Sequence, residues 1–313
     1  MTTIENFGNS AASKGYRAFG SVLTAMVTPF DRHGGLDEFG AEKLAAWLTQ
    51  DGWNDGVVVN GTTGESVTTS DREKIVMIES AKRALERRGK KVIAGVGAGD
   101  TRHSVAMAEA AAAHGADGLL VVAPYYSRPT QAGILQHFRA IADSTPLPVM
   151  LYDHPGRTGV ALEPDTLAAA AEHPRIIAVK DAKGDLEASS WVMRRTYLSY
   201  YSGDDALNLP LLSIGAVGMV SVVGHLVGDR LRSLLDHYSN GRIGEALALH
   251  RELLPVCRGM FRAPAAASVK AALKSLGLPA GPVRSPLVDL DQHETQALLA
   301  DMTSTGVLAP LPA

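Results

Sequence analysis

The chain has 313 residues, with 30 Lys plus Arg against 33 Asp plus Glu, a formal net charge of −3. It is 46 % hydrophobic and 20 % charged, with 3 Trp, 8 Tyr, 6 Phe and a single cysteine, Cys257. These values exclude a disordered chain, a nucleic-acid binder that works by cationic excess and a disulfide scaffold, and a chain this long buries roughly 75 % of its unfolded surface on folding.

The start, Met1-Thr2-Thr3-Ile4-Glu5-Asn6, has no basic region followed by an apolar one, so no secretory signal is expected. No apolar run approaches the ~18 residues of a membrane span, and one cysteine suits a reducing compartment, so a cytoplasmic protein with no membrane partner is expected. Residues 1–19 form an N-terminal segment with no assigned role. Short runs rich in Val, Ile and Leu then recur at 22–27, 56–59, 92–95, 118–122, 149–152, 176–179, 200–202 and 218–223. Their hydrophobicity is continuous rather than alternating, which predicts strands buried on both faces of a parallel sheet.

The intervals carry helix signals. Leu44, Trp47 and Leu48 share one helical face. Ser70-Asp71-Arg72-Glu73 is a capping-box pattern ahead of Ile75, Met77 and Ile78. Asp100-Thr101 precedes an alanine-rich stretch, and Glu163-Pro164-Asp165 opens a helix with proline in its first turn. After 223 the strand rhythm stops, and 231–238, 243–254, 265–276 and 295–302 read as helices. The expected architecture is an α/β (β/α)8 TIM barrel over residues 20–230 with a C-terminal helical extension over 231–313. A doubly wound open sheet is the alternative.

A barrel of this kind carries its chemistry at the C-terminal ends of the strands. Lys180 ends the run Ile176-Ile177-Ala178-Val179, which has no other polar side chain. Desolvation there lowers an amine's pKa, and a neutral amine can attack a ketone to form a Schiff base. Pairing with Asp181 is the other reading of Lys180, and chemistry alone leaves both open. Tyr152 ends the preceding strand. A phenol beside an imine can shuttle protons through a relay, for which Thr62 and Tyr126 offer hydroxyls. Gly61 and Gly64 allow close approach of the backbone to a carboxylate, and Arg157 offers a planar fork for another.

Other patterns carry less. Gly95-Val96-Gly97-Ala98-Gly99 lacks the full G-x-G-x-x-G fingerprint of a dinucleotide loop. The histidines show neither H-E-x-x-H nor H-x-H spacing, so no metal site is expected. The basic run from Lys82 to Lys91 ends a helix, where cations suit the dipole; it reads as a solvated face rather than a nucleic-acid site. Cys257 reads as a buried small hydrophobe.

Six segments together resemble the dihydrodipicolinate synthase family, within the pyruvate-dependent class I aldolases that include N-acetylneuraminate lyase. They are Thr24-Ala25-Met26-Val27-Thr28-Pro29-Phe30, Gly61-Thr62-Thr63-Gly64-Glu65-Ser66, Pro124-Tyr125-Tyr126, Tyr152-Asp153-His154-Pro155-Gly156-Arg157-Thr158, Val179-Lys180-Asp181 and Ser202-Gly203-Asp204-Asp205. The resemblance implies a cofactor-free lyase that condenses pyruvate with L-aspartate 4-semialdehyde to 4-hydroxy-tetrahydrodipicolinate. It implies Lys180 as the imine-forming lysine, and Tyr152, Thr62 and Tyr126 as the proton relay, with Tyr126 reaching across a dimer contact. Thr63 would hold the pyruvate carboxylate and Arg157 that of the semialdehyde; Gly203 and Val220 would line the site. The implied assembly is a homotetramer, a dimer of dimers. A related aldolase or hydrolyase acting on a sugar acid is the alternative; the double threonine and Arg157 point to the synthase.

Three departures stand out. His154 replaces a smaller or aliphatic residue beside the semialdehyde pocket, and Phe261-Arg262-Ala263-Pro264 replaces an Asn-Pro turn. Asp71, Lys74, Gly99 and His103 replace the pattern of lysine-inhibited members, which predicts weak or absent inhibition by L-lysine.

Overall fold

In the computed structural model, which describes residues 12–308, eight parallel strands close into a barrel in chain order. They are β1 (Val22–Ala25), β2 (Gly56–Val59), β3 (Lys91–Gly95), β4 (Gly118–Val122), β5 (Val149–Asp153), β6 (Ile176–Asp181), β7 (Ser199–Ser202) and β8 (Gly218–Ser221). Pairing of Leu23 with Val220 across β1 and β8 closes the ring and removes the doubly wound alternative. Residues 1–11 of the expected N-terminal segment and residues 309–313 of the extension lie outside the described residues.

Two strands are shorter than their apolar runs. After Ala25, the Val27 amide donates to Nε2 of His225 (3.2 Å) instead of continuing the ladder. After Ser221, the amides of Val222 and Val223 donate to the Asp205 carboxylate (2.8 and 2.9 Å). Buried amides need a partner, and here a side chain supplies it in place of a neighbouring strand.

The first helix, α1 (Ala12–Phe19), places Phe19 among the barrel-interior residues, edge-on to Tyr201 at 6.3 Å between ring centroids. The helices between strands follow their caps. In α2 (Glu38–Leu48), Leu44 and Leu48 are buried while Trp47 stays partly exposed and packs on Trp53. The Ser70–Glu73 capping box opens α3 (Asp71–Leu85), and Asp100 caps α4 (Thr101–Ala113) through the amides of Arg102 and His103. Next come α5 (Gln131–Asp143), the single turn α6 (Pro155–Thr158), α7 (Pro164–Ala170), α8 (Leu186–Arg195) and α9 (Asn208–Ser213). The cations in the last turn of α3 and beyond it are engaged locally: Lys82 pairs with Asp117 (3.1 Å), Arg83 with Glu42 (2.7 Å), and Lys90 donates to the Asn54 carbonyl.

The extension comprises α10 (Gly224–Ser239), kinked at Val227, then α11 (Ile243–Gly259), α12 (Ala265–Ser275) and α13 (Gln292–Ser304). The 230/231 boundary therefore falls inside α10. Arg262 pairs with Asp301 of α13 (2.6 Å) in the unusual turn that leads to α12. Leu253, Val256, Met260, Val269, Leu298 and Met302 join the main core. The chain beyond α12 returns to the barrel mouth, where the Ala280 carbonyl accepts from the Phe30 amide (3.1 Å).

Candidate active site

Strand alternation settles the surroundings of Lys180. Successive residues of a strand point to opposite faces, so Ala178 and Lys180 enter the barrel while Val179 and Asp181 face the helices. Asp181 accepts from the amides of Lys183 and Gly184 and from the Ser189 hydroxyl, which supports the turn into α8. The ion-pair reading of Lys180 with Asp181 therefore fails on geometry.

In register with Lys180 are Tyr152 on one side and Tyr201 on the other. Lys180 is 5 % exposed, and its Nζ lies 4.3 Å from the centre of the Tyr152 ring. Burial pulls its pKa down to about 8, opposed by Asp205 and assisted by Arg157. A pKa of about 8 leaves roughly a tenth of the amine neutral at pH 7, against fewer than about one in 10³ for an ordinary lysine. Imine formation with a ketone, followed by borohydride trapping from pH 6 to 9, is expected to rise through pH 8 and then level off. A profile still climbing steeply beyond pH 9 would refute the depressed amine.

Gly203 follows β7 at the same level. A Cβ there would stand 2.9 Å from Cε and Cγ of Lys180, so glycine is what lets the lysine extend past the backbone. Val220 is fully buried and belongs to the same barrel-interior cluster as Tyr152 and Ala178. Asp205, which the sequence reading left without a role, is buried and accepts from Ser221, Asn208 and the two amides after β8. Its carboxylate is the charge that holds the Lys180 pKa up against desolvation.

Tyr152 is 6 % exposed, and its pKa is pushed up to about 12 by burial, against the pull of Arg157 and a hydrogen bond with the Thr62 side chain. It is therefore a phenol, not a phenolate, near neutral pH. Thr62, Tyr152 and Arg157 line one cavity of about 240 Å³, with Tyr125 at its edge. Lys180 does not itself line that cavity; its amine packs against the face of the Tyr152 ring that does. Thr63 is buried in the same loop as Thr62.

That loop leaves β2 through Asn60 (φ 57°) and ends at Glu65 (φ 54°), both left-handed at non-glycine residues, a conformation that costs energy and persists only when surroundings impose it. The glycine-rich segment after β3 serves this turn. A Cβ on Gly95 would strike the Asn60 carbonyl, and one on Gly97 would meet the Val122 amide. Close backbone packing explains those glycines without a dinucleotide.

Arg157 sits on α6, exposed at the mouth. His154 precedes that turn, edge-on to Tyr152 at 5.8 Å, with its Nδ1 buried and unpaired. Burial, then the nearby Arg157 and Lys180, pulls its pKa to about 4, so the imidazole is neutral at physiological pH. Tyr126 is the one relay candidate that the chain does not bring into the cavity. It is 96 % exposed with φ 71° on the loop after β4 and does not line the cavity.

A second cavity, about 520 Å³, adjoins the first across Tyr125, Ser66 and Val67. Asp71, Lys74 and His103 line it, and Asp71 is already engaged by both His103 (2.9 Å) and Lys74 (3.4 Å). Cys257 is buried on α11 with its thiol pKa raised by desolvation, which suits packing rather than nucleophilic chemistry. No helix among the described residues is long and apolar enough to cross a membrane.

Comparison with known proteins points one way. The model of the "Dihydrodipicolinate synthetase family" matches residues 18–305. A 4-hydroxy-tetrahydrodipicolinate synthase of Acidothermus cellulolyticus is 56 % identical over 92 % of this chain and 93 % of its own. One from Kineococcus radiotolerans is 50 % identical over 97 % of this chain and 98 % of its own. Among solved structures, the Cyanidioschyzon merolae enzyme, described with lysine bound, superimposes with a TM-score of 0.91 at 41 % identity, covering 93 % of this chain and 99 % of its own. A dihydrodipicolinate synthase of Bacillus anthracis does so with a TM-score of 0.88 at 40 % identity, over 94 % and 99 %.

Proposed function

This chain belongs to the dihydrodipicolinate synthetase family, and from that premise we propose how its own residues carry the reaction. The activity is that of a Schiff-base lyase of lysine and diaminopimelate biosynthesis, condensing pyruvate with L-aspartate 4-semialdehyde to 4-hydroxy-tetrahydrodipicolinate. The observation that carries the assignment of roles is the buried Lys180 amine against the face of the Tyr152 ring, with Tyr152 and Thr62 lining one cavity.

Neutral Lys180 attacks the pyruvate ketone, and loss of water gives a protonated imine. Thr63 and the loop amides hold the pyruvate carboxylate. A methyl proton leaves to form an enamine, whose carbon bonds to the aldehyde carbon while the new alkoxide takes a proton. Tyr152, kept protonated by its high pKa, gives its proton through Thr62 to the hydroxide that leaves as water, takes up the methyl proton, passes it to the new alkoxide and is reprotonated by the semialdehyde's ammonium as that amine is freed to attack. Arg157 holds the semialdehyde carboxylate by paired hydrogen bonds. The product's own amine then displaces Lys180 and closes the ring. Gly203 and Val220 line the floor. No cofactor takes part in this scheme.

Tyr126 completes the relay from a neighbouring subunit in this reading. Its full exposure and left-handed backbone suit a side chain held out for a partner, within a homotetramer built as a dimer of dimers in the cytoplasm. Turnover with pyruvate plus aspartate semialdehyde, compared with a panel of sugar acids, tests the substrate. Preference for a sugar acid would overturn it.

The second cavity carries a regulatory expectation. Lys74 places a like charge where a lysine ammonium would enter, and Asp71 is already paired with Lys74 and in hydrogen-bond contact with His103. L-lysine is therefore expected to bind more weakly than about 1 mM, which is less than about 4 kcal/mol. Half-inhibition of initial rates at micromolar lysine would contradict this.

A further inference from the structure

The C-terminal extension reaches the active-site loop through one buried charge. Glu65 ends the loop that carries Thr62 and Thr63, and its side chain is 0 % exposed. Lys270 of α12, 205 residues away and also 0 % exposed, donates from Nζ to Oε1 at 2.6 Å. The second oxygen, Oε2, accepts from the Arg284 amide at 2.8 Å. Lys270 also donates to the Pro282 carbonyl (2.8 Å), and the Arg284 guanidinium bonds Thr68 and Gly34 carbonyls and pairs with Glu73. Phe30 lies between the two cations, 4.0 Å from Lys270 Nζ and 4.1 Å from the Arg284 guanidinium carbon.

This arrangement is costly to build. Two charges are fully desolvated, and an apolar pair of similar volume is often at least as stable. It is also directional. Both Glu65 oxygens are fixed, and the Glu65 backbone is held left-handed. The Glu65 amide donates to the Thr62 carbonyl (3.1 Å), so a shift of Glu65 moves Thr62 directly. On its other side the loop is tied by the Thr28 hydroxyl to the Gly64 carbonyl (2.6 Å).

We propose that Lys270 and Arg284 of the C-terminal extension are positioning residues that act through the Glu65 carboxylate, Lys270 by its ammonium and Arg284 by a backbone amide that its guanidinium seats against the Thr68 and Gly34 carbonyls, to hold Thr62 and Thr63 in the geometry that receives the pyruvate carboxylate. The extension is then part of the catalytic apparatus, although none of its residues touches substrate. The inference rests on the pyruvate reading of the loop.

The test compares pyruvate KM, semialdehyde KM and melting temperature for Lys270→Met, the double variant Glu65→Gln/Lys270→Met and Arg284→Met. Lys270→Met strands a buried carboxylate and is expected to melt earlier; the double variant removes both charges and recovers most of that loss. Pyruvate KM is expected to rise about tenfold in both, and several-fold in Arg284→Met, while semialdehyde KM stays within about twofold. Should Lys270→Met fail to fold, the double variant and Arg284→Met, whose side chain reaches solvent, carry the comparison. Pyruvate KM within about twofold of wild type in both would overturn the proposal and leave the pair a stability element. Borohydride trapping of pyruvate on wild-type Lys180 is the control: its failure would instead overturn the reading of the site.

Discussion

Lys180→Met is expected to lower turnover by on the order of 10³-fold or more, the scale on which loss of a covalent nucleophile is felt. Methionine keeps the volume of the lysine stem inside the barrel and removes an amine that burial disfavours, so the variant is expected to fold. Steady-state rates with pyruvate and aspartate semialdehyde give the size of the loss. Borohydride reduction in the presence of pyruvate, followed by peptide mass mapping, gives its cause: a pyruvyl adduct on Lys180 in the wild type and none in the variant. Lys270 is an internal control, because it is equally buried but fixed by Glu65. An adduct on Lys270, or turnover within about tenfold of wild type in Lys180→Met, would remove Lys180 as the nucleophile.

Tyr152→Phe is expected to lower turnover by about 10²- to 10⁴-fold, the usual contribution of a positioned proton donor. Phenylalanine retains the ring whose centre lies 4.3 Å from the lysine amine and removes only the hydroxyl that shares the cavity with Thr62. The melting temperature is therefore expected to change little, and the loss belongs to chemistry rather than packing. Near-normal turnover with an intact fold would take Tyr152 out of the relay.

Much of this was legible in the chain. Continuous runs such as Gly118-Leu119-Leu120-Val121-Val122 can only be strands covered on both faces, and eight of them with helices between leave few ways to close a sheet. Caps were equally plain, because Ser70 and Asp100 act on amides two or three residues away. What failed was strand length at β1 and β8. There the terminating partners, His225 and Asp205, lie 198 and at least 17 residues distant, and no local pattern announces them.

The candidate site divides along the same line. That Lys180, Tyr152, Thr62, Thr63, Arg157 and Gly203 belong near strand ends follows from local sequence and from the family resemblance. That Lys180 faces Tyr152 rather than Asp181 follows from β-strand alternation once the register is known. Desolvation of the Lys180 amine was legible from its place at the end of an apolar strand, whereas desolvation of the Tyr152 phenol, the counterweight of Asp205, the exposure of Tyr126 and the grip of Lys270 and Arg284 on Glu65 came only with the tertiary structure. Sequence by itself determined the elements, the barrel and the kinds of chemical group at its mouth, because hydrophobic pattern and capping act over a few residues. The electrostatic state of those groups was decided by neighbours from other strands and helices, because burial and Coulomb interaction depend on distance in space rather than distance along the chain.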